Sequence, residues 1–179
     1  MGCNKALLDF GGQPLIRVLI DRIRPLTNHI VISSNDDSIY QFLNFPVVPD
    51  QFKGHGPLAG FHSAMLREAC SFYLMLACDL PNLKVSLLRN LVALIDGYDA
   101  AIPLTGDGIA HPLCAVYRRT CLLPIEQSLR RGVRRVIDTF LDETLTVKWV
   151  SPDEGRFTDA DLANINTPED LERLKSGFR

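Results

Sequence analysis

The sequence predicts a layered α/β domain, three layers deep (α/β/α), built on a mainly parallel sheet. Three observations carry this expectation. Short runs rich in β-branched residues alternate with longer stretches whose apolar residues recur at helical spacing, as strand–helix–strand units require. One run, Ser71-Phe72-Tyr73-Leu74-Met75-Leu76-Ala77-Cys78, is almost continuously apolar, as expected of an interior parallel strand covered on both faces. A length of 179 residues, 46% hydrophobic and 22% charged, suits one domain (residues 1–179) able to bury a sizeable core.

In chain order, Gly11-Gly12-Gln13-Pro14 makes a turn, after which Leu15, Ile16, Leu19, Ile20 and Ile23 mark a helix that Pro25 stops. His29-Ile30-Val31-Ile32-Ser33-Ser34 reads as a buried strand, residues 38–43 as a short helix, and residues 45–50 as a short strand that proline confines toward an edge. The glycine-rich stretch Gly54-His55-Gly56-Pro57-Leu58-Ala59-Gly60 leads into a helix reaching about Cys70. Asp79-Leu80-Pro81 ends the apolar strand that follows. Residues 87–95, 121–129 and 133–141 suit helices; residues 99–104, 111–117 and 144–150 suit strands. A last helix starts at residues 166–171, with Thr167 as N-cap, Pro168 at the first helical position, and Glu169 and Asp170 complementing the helix dipole.

The charge balance, 19 Lys+Arg against 21 Asp+Glu, argues against a dedicated DNA binder. No apolar stretch reaches the roughly 18 residues of a membrane span. The N-terminal segment lacks a basic stretch followed by an apolar one, and Ala6 stands where a myristoylation signal wants Ser or Thr, so a cytoplasmic protein is expected. Five cysteines form no CxxC pair, which suits small buried side chains in a reducing compartment better than a metal site or disulfide framework.

In an open α/β sheet, ligands sit outside the carboxyl ends of the strands, which directs attention to the residues just after 34, 50, 78, 104 and 150. Asp79 follows the most apolar strand. Its carboxylate suits Mg²⁺, although Asp before Pro81 is also an ordinary turn residue. The 54–60 loop allows close backbone approach to an anion at the start of the next helix, or is simply a turn. The amides of Asn164 and Asn166 can ligate a metal or bond a hydroxyl, and the same segment is a strong helix start. Lys5 can neutralise a phosphate or be a solvated surface cation. Arg130, Arg131, Arg134 and Arg135 around Gly132 can grip acidic groups or form a solvated face. His111 before Pro112 can orient a ligand or be structural.

Taken together, MGCNKALL, GGQPLI, VVPD, GPLAG, CDLP, HPLCAVYR, RGVRRVI and NINTPEDL follow one another in the order seen in molybdenum cofactor guanylyltransferases. The chain resembles that family along essentially its whole length. GPLAG with CDLP is shared with a wider set of nucleotidyltransferases, whereas HPLCAVY with NINTPEDL is narrower. The resemblance implies a Rossmann-like nucleotidyltransferase fold and Mg²⁺-dependent transfer of GMP from GTP to the phosphate of molybdopterin, with release of pyrophosphate. The dinucleotide product would pass to molybdoenzymes or their chaperones.

Carried over by motif, Lys5 contacts the GTP phosphates and Asp79 binds Mg²⁺. Asp50 lies in the segment that recognises the nucleotide, and Asn35, with Ser33 as the other candidate, helps to hold it. Asn164 and Asn166 sit by the metal and the reacting phosphates, and His111, Arg131 and Arg134 face the pterin substrate. In the family an apolar strand and a glycine-rich phosphate loop precede the Met-Gly with which this sequence opens. Their absence here would leave ladder groups of neighbouring strands unpaired. It also leaves open a non-catalytic protein that binds the pterin cofactor or a molybdoenzyme; a related enzyme reading is cytidylyl transfer to the same cofactor or a sugar-phosphate nucleotidyltransferase.

Overall fold

The computed structural model describes residues 4–141, 144–165 and 170. A 3₁₀ turn, Lys5–Leu7, opens the chain, its N-terminus capped by the Asn4 side chain accepting from the Ala6 amide (3.1 Å). Two-residue strands β1 (Asp9–Phe10) and β2 (Gln13–Pro14) pair antiparallel around Gly11 and Gly12, both at positive φ, where glycine carries no steric cost. Helix α1 (Leu15–Ile23) follows and buries the five apolar residues read from its spacing.

Strands β3 (Ile32–Ser33) and β4 (Val47–Val48) form a two-stranded parallel sheet. Helix α2 (Pro57–Arg67) starts with proline at its first position. It hands the chain to β5 (Phe72–Leu76), and Tyr73 Oη, donating to the Glu68 carbonyl (2.6 Å) and accepting from the Cys70 amide (3.0 Å), ties the end of the helix to the start of the strand. Then come α3 (Val85–Leu94), β6 (Ala100–Pro103), β7 (Cys114–Arg118), α4 (Leu122–Arg130), α5 (Val136–Phe140), β8 (Val147–Val150) and α6 (Pro152–Gly155). Helix α6 is short but fully signalled. Ser151 and Glu154 cap each other's backbone, a box written in Ser151-Pro152-Asp153-Glu154 that the periodicity reading passed over. The helix expected from residue 166 lies outside the described residues, apart from Asp170.

The main sheet has the order β5-β7-β6-β8. Strands β6 and β8 are parallel, and β7 runs antiparallel to both β5 and β6. Three of its four strands therefore point the same way, with β7 reversed. The expectation for residues 71–78 needs correcting: β5 is an edge strand paired only with the antiparallel β7 among the described residues. Nor is the run covered on both faces: Phe72 is exposed, Tyr73 is buried and residues 74–78 are half-buried, so a continuous apolar run fixes neither the direction of a strand nor the number of its neighbours.

Alternation along the strands makes the three layers. Ala115 and Tyr117 of β7, with Ala100 and Ile102 of β6, face a core closed by Leu58, Phe61 and Met65 of α2, Ile125 and Leu129 of α4 and Phe140 of α5. Cys114 and Val116, with Ala101, face the opposite core, closed by Leu19 and Ile23 of α1 and Leu87, Leu88 and Leu91 of α3. Each of these fully buried leucines contributes about 1.5–3 kcal/mol of transfer free energy. Helix α1 also turns Ile16 and Ile20 toward Ile32 of β3 in a third cluster. Helix α2 likewise reaches β3, with Gly60 set against Ser33. Two helices thus join the small sheet to the large one.

Candidate functional site

Asp79 lies just beyond β5, after Ala77, whose amide still bonds to the β7 side, and Cys78, so its backbone is set by a strand held along its length by β7. Its side chain is 14% exposed and accepts from Lys5 Nζ at 3.0 Å through Oδ2. The carbonyl of Asp79 accepts from the Ile165 amide (3.0 Å), which brings the exposed Asn164 beside the pair. Lys5 and Asp79, named separately from the sequence, therefore meet, and the backbone that carries Asn164 runs alongside Asp79. Asn166 lies outside the described residues.

The same rim carries other sequence candidates. Because β7 is antiparallel to β5, with the Ala77 amide donating to the Leu113 carbonyl (2.7 Å), the segment entering β7 lies beside the exit of β5. That segment holds His111, whose amide donates to the carbonyl of Pro103 at the end of β6 (2.9 Å). Burial pushes the His111 imidazole below its ordinary range, and the carboxylates of Asp159 and Asp107 partly offset this.

Helix α2 ends where β5 begins, so its N-terminus lies at the end of the sheet where β5 stops. There Asp50 and Asn35 bond reciprocally: Asn35 Nδ2 donates to Asp50 Oδ2 (2.8 Å), and the Asp50 amide donates to Asn35 Oδ1 (3.0 Å). Gly60 makes room behind them. A Cβ at that position would sit 2.0 Å from Ser33 Oγ and 3.3 Å from Asp50 Oδ1. The sequence named Ser33, Asn35 and Asp50; their interlocking through Gly60 joins distant positions and has no local signal.

The α4–α5 turn carries Arg131 and Arg134. The Arg134 carbonyl lies 3.7 Å from where a Gly56 Cβ would stand, so this turn borders the glycine-rich loop. Arg131 caps α4 with its backbone, and its guanidinium donates to Ser128 Oγ (3.3 Å), while Arg134 is exposed. Arg134 thus borders the start of α2 through its backbone. Cys114 and Cys121 are buried and Cys70 and Cys78 half-buried, and none of these four forms a disulfide.

Among the described residues no group of three His, Cys, Asp or Glu side chains could by itself hold a metal ion, and no helix is long and apolar enough to cross a membrane. Among the described residues, the Asp79 carboxylate and the Lys5 ammonium, with the Asn164 segment beside them, are what this end of β5 offers a ligand. That donor set suits a metal–phosphate complex arriving together better than a resident ion held in a protein cage.

Residues 1–145 match the family of the MobA-like NTP transferase domain. A protein of Pelotomaculum thermopropionicum named "Probable molybdenum cofactor guanylyltransferase" is 35% identical over 98% of this chain and 85% of its own length. The molybdenum cofactor guanylyltransferase of Desulfosudis oleivorans is 32% identical over 99% of this chain and 89% of its own. Among solved structures, the molybdopterin-guanine dinucleotide biosynthesis protein A of Archaeoglobus fulgidus superposes with a TM-score of 0.81 at 25% identity, covering 99% of this chain and 91% of that one. The 2-C-methyl-D-erythritol 4-phosphate cytidylyltransferase of Thermus thermophilus shares the fold, with a TM-score of 0.73 at 14% identity over 98% of this chain and 94% of that one. The layered, Rossmann-like architecture is thus that of nucleotidyltransferases.

Proposed function

The chain belongs to the MobA-like NTP transferase family, and we propose on that premise that it transfers GMP from GTP to the phosphate of molybdopterin. An oxygen of the pterin phosphate attacks the α-phosphorus of GTP. A new P–O bond forms, the bond from the α-phosphorus to the bridging oxygen breaks, and pyrophosphate leaves with that electron pair. The observation that carries the reading is the Lys5–Asp79 pair at the tip of β5, where a cation and a carboxylate from opposite parts of the chain share one rim. The guanylyl reading stands on relatives about a third identical, while the likeness to a cytidylyltransferase concerns the fold alone.

Both substrates are anionic and repel each other. Lys5 reduces that repulsion at the triphosphate, and Asn164 and Asn166 hold the reacting phosphates by hydrogen bonds. Asp50 and Asn35, with Ser33 behind them, receive the nucleotide. His111, Arg131 and Arg134 face the pterin substrate. Asp79, with one oxygen engaged by Lys5, would hold Mg²⁺, a hard ion that binds through one or two carboxylates plus substrate phosphates. When bound, Mg²⁺ supplies positive charge to the phosphoryl oxygens. No protein nucleophile is required, since alignment of the two substrates and stabilisation of developing charge supply the rate. We place this chemistry in the cytoplasm, with the product passing to molybdoenzymes or their chaperones.

The test is incorporation of radiolabel from [α-³²P]GTP into the dinucleotide with molybdopterin and MgCl₂. Asp79→Ala should abolish incorporation while the far-ultraviolet circular dichroism stays that of the wild type. Equal incorporation by the variant removes Asp79 from the chemistry. Preference for CTP over GTP overturns the guanylyl assignment.

A further inference from the structure

His62 lies in the middle of α2 and is 1% exposed, yet neither ring nitrogen has a hydrogen-bond partner. A buried polar group left unpaired is costly, and a phenylalanine or leucine would fill the space without that cost. The surroundings of the ring are specific. Its edge meets Phe52, with centroids 5.2 Å apart at 78°. Glu126 Oε2 of α4 stands 3.8 Å from Nε2, beyond hydrogen-bond distance, while Glu126 Oε1 is taken by Arg130 at 2.6 Å. Arg130 itself lies 5.9 Å over the Phe52 ring, and His55 meets the same ring edge-on at 6.2 Å. Phe52 is thus packed by two imidazoles and a guanidinium.

Phe52 also belongs to the segment that joins Asp50 to the start of α2. The Gln51 amide donates to Ser63 Oγ on α2 (2.9 Å), and His55 Nδ1 contacts the Lys53 carbonyl (3.0 Å). The segment therefore rests on α2 at Ser63 and, through Phe52, at His62. We propose that His62 is a positioning residue: neutral and packed against Phe52, it holds residues 50–56 in the arrangement that receives the nucleotide, and its protonated form, drawn to Glu126, does not. This rests on the nucleotide-binding reading above.

The charges around the ring define the sign. Burial and Arg130 favour the neutral imidazole, and Glu126 favours the cation. His55 is the other titratable group, across Phe52. The balance lies on the neutral side, so His62 takes its proton only below the ordinary histidine range. A proton there converts the 3.8 Å approach to Glu126 into a charge-assisted hydrogen bond and draws the ring away from Phe52.

The experiment measures GTP dissociation constants with MgCl₂ at pH 7.5 and 5.5 for the wild type, His62→Phe and Glu126→Gln. It also follows the backbone amide chemical shifts of residues 51–56 in the ligand-free protein against pH. His62→Gln replaces the Phe variant if the latter does not fold. The wild type should lose about threefold in affinity over this range beyond what His62→Phe loses, because a group that takes its proton below the ordinary histidine range is only partly protonated at pH 5.5. The slope that His62→Phe keeps is the part that does not involve His62. The amide shifts of residues 51–56 should titrate together with the His62 imidazole and stop doing so in the variant.

Equal pH slopes in wild type and variants overturn the proposal. A flattened slope with unmoved amides overturns the route through Phe52. If the wild type fails to bind GTP at either pH, the functional reading falls instead, and the amide titration alone decides whether His62 positions the segment.

Discussion

Asp79 leaves β5 beside β7, a strand buried at every residue but its last, whereas Asp50 follows β4, a strand of two residues that, among the described residues, pairs with one other strand of two. The first wall of the candidate site is held by a ladder and two hydrophobic cores. The second is held by side-chain bonds between Asn35 and Asp50 and by the close seat of Gly60 on Ser33. Groups that act on reacting phosphates need fixed geometry, and the ladder provides it. The nucleotide wall is lightly built, so changes there should alter binding before they alter chemistry.

The largest expected effect lies on the rigid wall. Asp79→Ala should lower kcat by at least about 10²–10³, the scale of removing one preorganised electrostatic group, with an unchanged melting temperature. A loss confined to KM would mean that the rigid wall binds rather than reacts. Next comes Gly60→Ala. Its Cβ would meet Ser33 Oγ at 2.0 Å and Ser33 Cβ at 3.0 Å, an overpacking worth about 1–3 kcal/mol. The KM for GTP should rise about tenfold, matching the lower part of that range, and Ser33→Gly in the same chain should recover part of it. No recovery in the double variant would dismiss the clash as the cause.

Asn35→Ala removes two bonds to Asp50, one of them to a charged group. A fewfold rise in KM at constant kcat, equivalent to about 1 kcal/mol, is expected from steady-state kinetics. A fall in kcat would erase the division of labour between the walls. The smallest effect concerns His111, whose folded-state pKa burial holds below the unfolded value near 6.5. The unfolded chain then binds the proton more readily. Its contribution is intact above that value and is lost as pH falls from there through the folded pKa. Melting temperatures at pH 7.5 and 5.5 should differ less for His111→Asn than for the wild type; an equal difference would mean that His111 is not the group concerned.

Asp79 was legible because an unbroken apolar run ends in a carboxylate. Its pairing with Lys5 was not, since the two stand 74 positions apart: Lys5 was named from its own segment as a cation for phosphate, with a solvated lysine as the alternative, and nothing local tied it to Asp79. The helices were read well where one face is apolar, as in α1. The reversal of β7 was invisible, because Cys114, Ala115, Val116 and Tyr117 are all buried and a two-sided apolar strand reads the same in either direction. Asn35 and Asp50 were named for a ligand, while their bond to each other appears only when β3 and β4 pair. His62 was not named at all. In sequence it is one polar residue in a helix, and what makes it unusual, the nearness of Glu126 from α4, belongs to the packing of two helices.

The single partner of β5 has a consequence that can be seen by isotope exchange. The Ala77 amide points to Leu113 and the Ser71 carbonyl to Arg119, so odd-numbered residues in this stretch turn their backbone groups toward β7. Those of Leu74 and Leu76 turn the other way, where no strand among the described residues receives them. Deuterium should therefore mark β5 in stripes: early uptake at Leu74 and Leu76, late uptake at Tyr73 and Met75.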